Sequence, residues 1–86
     1  MNPTEIRLAE IWCAVLGVPE VVRQDDFFAI GGDSLLVARA VRHIRRAWPI
    51  VITVRDLIEC PVLADFARWI DQRTCEAAEE PRADRG

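Results

Sequence analysis

Apolar residues recur at three- and four-residue steps in three stretches of this chain, and each recurrence predicts a helix. Leu8, Ile11, Trp12 and Val15 make one apolar face. A first helix is expected over 4–16, with Thr4 as its cap and Gly17 as its stop. Val37, Val41, Ile44 and Trp48 fall within a narrow arc when residues are placed about 100° apart. They predict a second helix that starts at or next to Ser34 and ends near Trp48, with Pro49 marking the stop. Leu63, Phe66, Ala67 and Ile70 give the stripe of a fourth helix, opened by Pro61 and ending near Thr74. The run Pro-Ile-Val-Ile-Thr-Val at 49–54 has strand-like residues but no partner strand. A short third helix over 54–59 is expected instead, capped by Thr53 with Asp56 three residues on, as in a capping box. The fold class is therefore all-α, a small bundle of three main helices plus one short helix. The domain is expected over 4–75, and the polar stretch 76–86, with Pro81, as a disordered tail or linker.

The helices leave one long connection, 17–33. Loops of this length inside compact domains are functional or well anchored. Phe27, Phe28 and Ile30 are the expected anchors. The 86 residues hold one domain, with no tyrosine and no hairpin-type Asn-Gly or Asp-Gly pair to favour sheets.

Charge and cysteines narrow the function classes. The net charge is −3 and lysine is absent, so no chain-wide basic field exists for nucleic acid. The three cysteines, Cys13, Cys60 and Cys75, are odd in number and form no Cys-x-x-Cys pair. A disulfide framework or structural zinc is not expected. Cys13 reads as a small buried hydrophobe and Cys75 as an exposed thiol. The start lacks a basic region and an apolar signal core, and no apolar run approaches a membrane span. A cytoplasmic monomer is expected.

Candidate chemistry sits in Gly31-Gly32-Asp33-Ser34-Leu35. On the helical wheel Leu35, Arg39, Arg42 and Arg46 cluster opposite the core face, so an exposed leucine stands among arginines beside Ser34. An apolar residue rimmed by charge is the pattern of a transient contact site. A plain solvated face and a DNA-reading helix are the competing readings of the arginines. The acidic balance and the lack of a second basic element oppose DNA. Taken alone, Ser34 reads first as an ordinary helix-capping serine, with Gly31-Gly32 as a plain turn. Gly32-Asp33-Ser34-Leu35 also spells the nucleophile block of GDSL esterases, which need a histidine to accept the serine proton. The single histidine, His43, is nine residues along the same helix, about 13 Å away on the opposite side, out of reach.

The run Asp25-Asp26-Phe27-Phe28-Ala29-Ile30-Gly31-Gly32-Asp33-Ser34-Leu35-Leu36 resembles the signature of peptidyl carrier (thiolation) domains of nonribosomal peptide synthetases. Leu8-Ala9-Glu10-Ile11-Trp12, with Val15-Leu16-Gly17, looks like their first helix, and Arg55-Asp56-Leu57-Ile58-Glu59-Cys60-Pro61 like their third helix and the following turn. The resemblance spans about 4–71. It implies an acyl-carrier-protein-like bundle that performs no catalysis of its own. It implies a covalent 4′-phosphopantetheine on the Ser34 hydroxyl, framed by Gly31, Gly32, Asp33 and Leu35, with the cargo held as a thioester. The glycines are expected to let the backbone turn and to leave space for a partner enzyme. A role for Asp33 in docking the transferase and its Mg²⁺ is likewise implied. The implied partners are a phosphopantetheinyl transferase, an adenylating enzyme and a condensation or tailoring enzyme. The implied cargo is an activated amino or aryl acid. Acyl carriers of fatty-acid or polyketide synthesis are the nearest alternative, but those of fatty-acid synthesis usually present an acidic second helix. An unmodified interaction domain is the alternative of another class. Pro49, Val51 and Thr53 depart from the family pattern.

Overall fold

A computed structural model describes the backbone of residues 1–85 and the side chains of residues 1–76. The helices follow in the order α1 (Pro3–Leu16), α2 (Ser34–Ala47), α3 (Val54–Glu59) and α4 (Leu63–Arg85). Among the described residues the β structure is one isolated antiparallel bridge, Asp26 to Val62. The expected all-α bundle is the observed fold.

Helix ends follow local chemistry, in three places differently from expectation. Asn2, not Thr4, caps α1. Its side chain accepts from the Glu5 N–H at 2.8 Å while the Glu5 carboxylate accepts from the Asn2 N–H at 3.0 Å. Pro3 takes the first helical position, where its missing N–H costs nothing. The Thr4 hydroxyl instead donates to Asp71 of α4. Gly17 ends α1 in the left-handed conformation, φ +71°, its N–H reaching the Cys13 carbonyl. α3 has the expected Thr53–Asp56 capping box. α4 opens at Leu63, two residues later than expected, because Pro61 is used in the Asp26–Val62 bridge, where its carbonyl accepts from Phe27 N–H at 2.8 Å.

α4 also runs past Thr74. The Thr74 hydroxyl returns to the Ile70 carbonyl at 2.8 Å, and polar residues with good helix propensity carry no stop signal. Apart from Glu76, the expected tail over 76–86 lies outside the residues described with side chains.

α1 packs between α2 and α4, and α3 lies on α2. The core contains Leu8 and Trp12 of α1, Val37, Val41 and Ile44 of α2, and Leu63, Phe66, Ala67 and Ile70 of α4, as the periodicities predict. Each fully buried large side chain contributes roughly 1.5–3 kcal/mol relative to exposure. Trp48 is only half-buried, because α2 ends at Ala47 and the tryptophan rides on the rim, with the Arg7 guanidinium 5.7 Å from its ring. Trp69 is also at the edge, stacked on Phe66 at 5.2 Å with Arg73 4.7 Å from its ring.

Candidate functional site

The connection from α1 to α2 is strapped onto the start of α4. Its carbonyls satisfy helix N–H groups that have no partner within the helix. Leu63 N–H donates to the Asp25 carbonyl and Ala64 N–H to the Arg23 carbonyl, each at 3.0 Å. Arg23 also reaches α1, its Nε lying 3.1 and 3.0 Å from the two oxygens of Glu5. The Glu5 carboxyl is thereby held below its ordinary pKa, chiefly by the Asn2 N–H and then by Arg23, against the opposing effect of burial.

Of the expected anchors, Phe27 alone is fully buried, edge-to-face with Trp12 at 5.0 Å between ring centres. Ile30 is half-buried. Phe28 anchors only in part, its ring edge-to-face with Phe27 at 5.8 Å between centres. Asp26 Oδ1 accepts from the N–H groups of Phe28 and Ala29 at 2.8 and 3.2 Å, and this tight turn points the next ring outward, leaving it 37% exposed. Val21 takes the second buried position in this loop.

Phe27 sets the path to Ser34. The Gly32 N–H donates to the Phe27 carbonyl at 2.9 Å, and a β-carbon on Gly32 would come within 2.3–2.6 Å of the Phe27 ring and carbonyl. Gly31 has φ +115°, a conformation open to glycine. One glycine makes the turn and the other makes room. The room at Gly32 is filled from inside by the Phe27 ring, while the space beside Gly31 is open.

Ser34 is the first residue of α2 and is exposed. It is not the cap. Asp33 is, with its Oδ1 accepting from Leu36 N–H at 3.0 Å and its carbonyl from Val37 N–H at 2.8 Å. The Ser34 hydroxyl therefore has no capping duty. Among the described residues, the Ser34 and Leu35 N–H groups have no acceptor. A phosphodiester on the Ser34 oxygen would lie at the positive end of a 14-residue helix, beside two available donors. The residues present fit that group.

The structure brings together the whole sequence-derived set, Gly31, Gly32, Asp33, Ser34 and Leu35. Leu35 is 65% exposed, and Arg39, Arg42 and Arg46 are exposed along the same helix, as the wheel requires. Arg45 has a structural task that the sequence reading missed: its Nε donates to the Ile52 carbonyl at 3.0 Å, fixing the α2–α3 connection. His43 is exposed on α2 and too far along the helix to serve Ser34. Burial, then Asp65, push the Cys60 thiol pKa up, so it is a poor thiolate source. The capping role of Asp33 had a signal in the sequence, an aspartate immediately before an apolar-periodic run. The Arg23–Glu5 pair had none.

Residues 7–70 match the family model described as a phosphopantetheine attachment site. The chain is 42% identical over 72 residues to a nonribosomal peptide synthetase of Aspergillus nomiae, covering 81% of this chain and 5% of that protein. It is 44% identical over 77 residues to malpibaldin synthetase of Mortierella alpina, covering 90% of this chain and 1% of that protein. The chain thus spans a twentieth or less of these relatives. Among solved structures, a complex of the phosphopantetheine transferase Sfp with coenzyme A and a peptidyl carrier protein superposes with a TM-score of 0.81 and 32% identity, over 85% of this chain and 95% of that one. The exposed serine at a helix start, the helical frame behind it and these matches agree, and the chain belongs to the phosphopantetheine-attachment family as a peptidyl carrier, or thiolation, domain.

Proposed function

We propose that Ser34 is the residue that bears the arm. In this reading the chain tethers an activated amino-acid or aryl-acid intermediate as a thioester and presents it to successive enzymes of nonribosomal peptide synthesis. The observation that carries this reading is the division of labour between neighbours: Asp33 caps α2, which leaves the Ser34 hydroxyl exposed and uncommitted. In the loading step Ser34 Oγ forms a bond to the β-phosphorus of coenzyme A, 3′,5′-ADP leaves, and the hydroxyl proton passes to a base of the transferase. The first-turn N–H groups of α2 then face the new phosphodiester. The chain supplies no base of its own, so loading and acyl transfer are done by partners: a phosphopantetheinyl transferase, an adenylating enzyme and a condensation or tailoring enzyme. Among the described residues no helix is long and apolar enough to cross a membrane. In this reading the carrier works as a monomer in the cytoplasm.

Leu35, Arg39, Arg42 and Arg46 form the docking patch in this reading. Leu35 supplies the desolvated contact and the arginines steer, an effect that weakens with salt. Intact mass after incubation with coenzyme A and a promiscuous transferase tests the attachment. Wild type gains one phosphopantetheine and Ser34→Ala gains none; loading of the alanine variant overturns the assignment. For the patch, Leu35→Ala slows acyl loading by the adenylating enzyme at low and high salt, whereas Arg39→Glu and Arg42→Glu slow it mainly at low salt. Equal rates for all folded variants would remove this face as the contact.

A further inference from the structure

Glu5 is a buried carboxylate with a half-exposed partner. Its side chain is 5% exposed and that of Arg23 is 52% exposed. Among the described residues Arg23 is the only cation in an ion pair with it. A buried carboxylate is costly unless a cation stays beside it. The connection that carries Arg23 is therefore drawn to one point of α1.

Arg23 does not move alone. It stands in a closed turn: the Asp25 N–H donates to the Val22 carbonyl at 3.0 Å, and the Val22 N–H donates to Asp25 Oδ2 at 2.9 Å. Val21, just before the turn, is buried. From the turn to Ser34 the backbone is fixed at short intervals. The Arg23 and Asp25 carbonyls accept from Ala64 and Leu63, and the Phe27 N–H donates to Pro61. The Phe27 carbonyl then accepts from Gly32, two residues before Ser34. Arg23 joins this line to α1 by its side chain and to α4 by its carbonyl.

We infer that Arg23, gripped by the buried Glu5, is a positioning residue for the loading reaction: the pair holds the 22–25 turn against α1 and so keeps the backbone that leads to Ser34 in the shape a transferase binds. This role rests on Ser34 as the attachment point and adds to it two residues that belong neither to the motif nor to the docking patch. Without the pair the connection is loosened, and ordering it again on docking weakens binding of the carrier. Once docked, the Ser34 hydroxyl meets the same transferase groups. The loss therefore falls on the KM for the carrier and not on kcat.

The test is a double-mutant cycle with two readouts. Arg23→Ala, Glu5→Leu and the double variant are each loaded from coenzyme A by a promiscuous transferase. Product is counted by intact mass, and carrier concentration is corrected to the folded fraction measured by chemical denaturation. Each single variant is expected to raise the KM for the carrier several-fold with kcat held, and the double variant no further, since both changes break the same tie. Glu5 is buried, so an equal effect there rules out a direct contact between Arg23 and the transferase. Stability is expected to behave differently. Arg23→Ala leaves a buried carboxylate alone, and the double variant, which lacks that carboxylate, is expected to be more stable than Arg23→Ala. A wild-type KM in either single variant, additive losses in the double, or a KM that recovers together with stability in the double overturns the positioning role alone. Wild type that gains no phosphopantetheine overturns the attachment reading and this role with it.

Discussion

The two connections that flank α2 are held by different physics. The earlier one, 17–33, is tied by backbone hydrogen bonds to the Pro61–Ala64 segment, by Arg23 to Glu5, and by the Phe27 ring against Trp12. The later one, 48–53, is pegged by the buried Ile52 side chain, with Arg45 on its carbonyl. The departures from the family pattern, Pro49, Val51 and Thr53, all fall in the later connection. Val51 is 81% exposed there, and Thr53 simply serves as a helix cap. A loop that must deliver a serine to a fixed place is held by many modest ties. One that only joins two helices tolerates substitution around a single peg.

This contrast breaks most readily at the pegs. Phe27→Ala removes the ring that meets both Trp12 and Gly32 and is expected to cost about 3–5 kcal/mol in chemical denaturation. It is also expected to slow phosphopantetheine loading of the molecules that remain folded. Ile52→Ala is expected to cost about 2–5 kcal/mol while leaving loading per folded molecule unchanged. If loading suffers equally in both, the two loops do not differ as described.

Gly32→Ala sharpens the contrast at one atom. The added methyl meets the Phe27 ring and backbone carbonyl, and overpacking of this kind costs roughly 1–3 kcal/mol. Because the clash lies two residues before Ser34, transferase kinetics are expected to fall while the helical circular dichroism is retained. Wild-type loading rates for Gly32→Ala would show that the site repacks freely.

Acid reaches the Glu5–Arg23 tie of the earlier loop. Glu5 titrates below its ordinary value near 4.5 in the folded chain, so the unfolded chain takes up this proton first as pH falls. The contribution of Glu5 is whole above that ordinary value and is lost as pH falls through the lowered one. Glu5→Gln is expected to be less stable than wild type at neutral pH, with the gap closing in acid melts. A gap that stays constant with pH would mean that the tie works through shape rather than charge. The smallest effect is expected at Ser34→Ala, within about 0.5 kcal/mol of wild type, because Asp33 makes the cap.

Much of this was legible in the chain. Periodicity gave the three main helices and the core faces of Leu8, Trp12, Val37, Val41 and Ile44, since burial on a helix imposes its own repeat. The motif around Ser34 singled out the candidate site, which the structure gathers at the start of α2. Three features escaped for physical reasons. Phe27 and Phe28 are chemically identical, and only the Asp26 turn decides which faces inward. Asn2 and Thr4 are both good caps, and the choice fell to the one with Glu5 three residues on. Arg23 and Glu5 are 18 residues apart, and no local pattern announces a pair that only tertiary packing makes.

The strap between Arg23–Phe27 and Pro61–Ala64 also orders events in time. Its two halves lie nearly forty residues apart, so it closes only after a sizeable stretch of chain has been ordered. During synthesis Ser34 leaves the ribosome well before Ala64 does. Until then its loop lacks the carbonyl partners and the α4 surface that define its course. A transferase that recognises this loop in its final shape therefore finds its substrate only once the fourth helix has docked. With Ser34 as the proposed attachment point, loading would report that the carrier has finished folding.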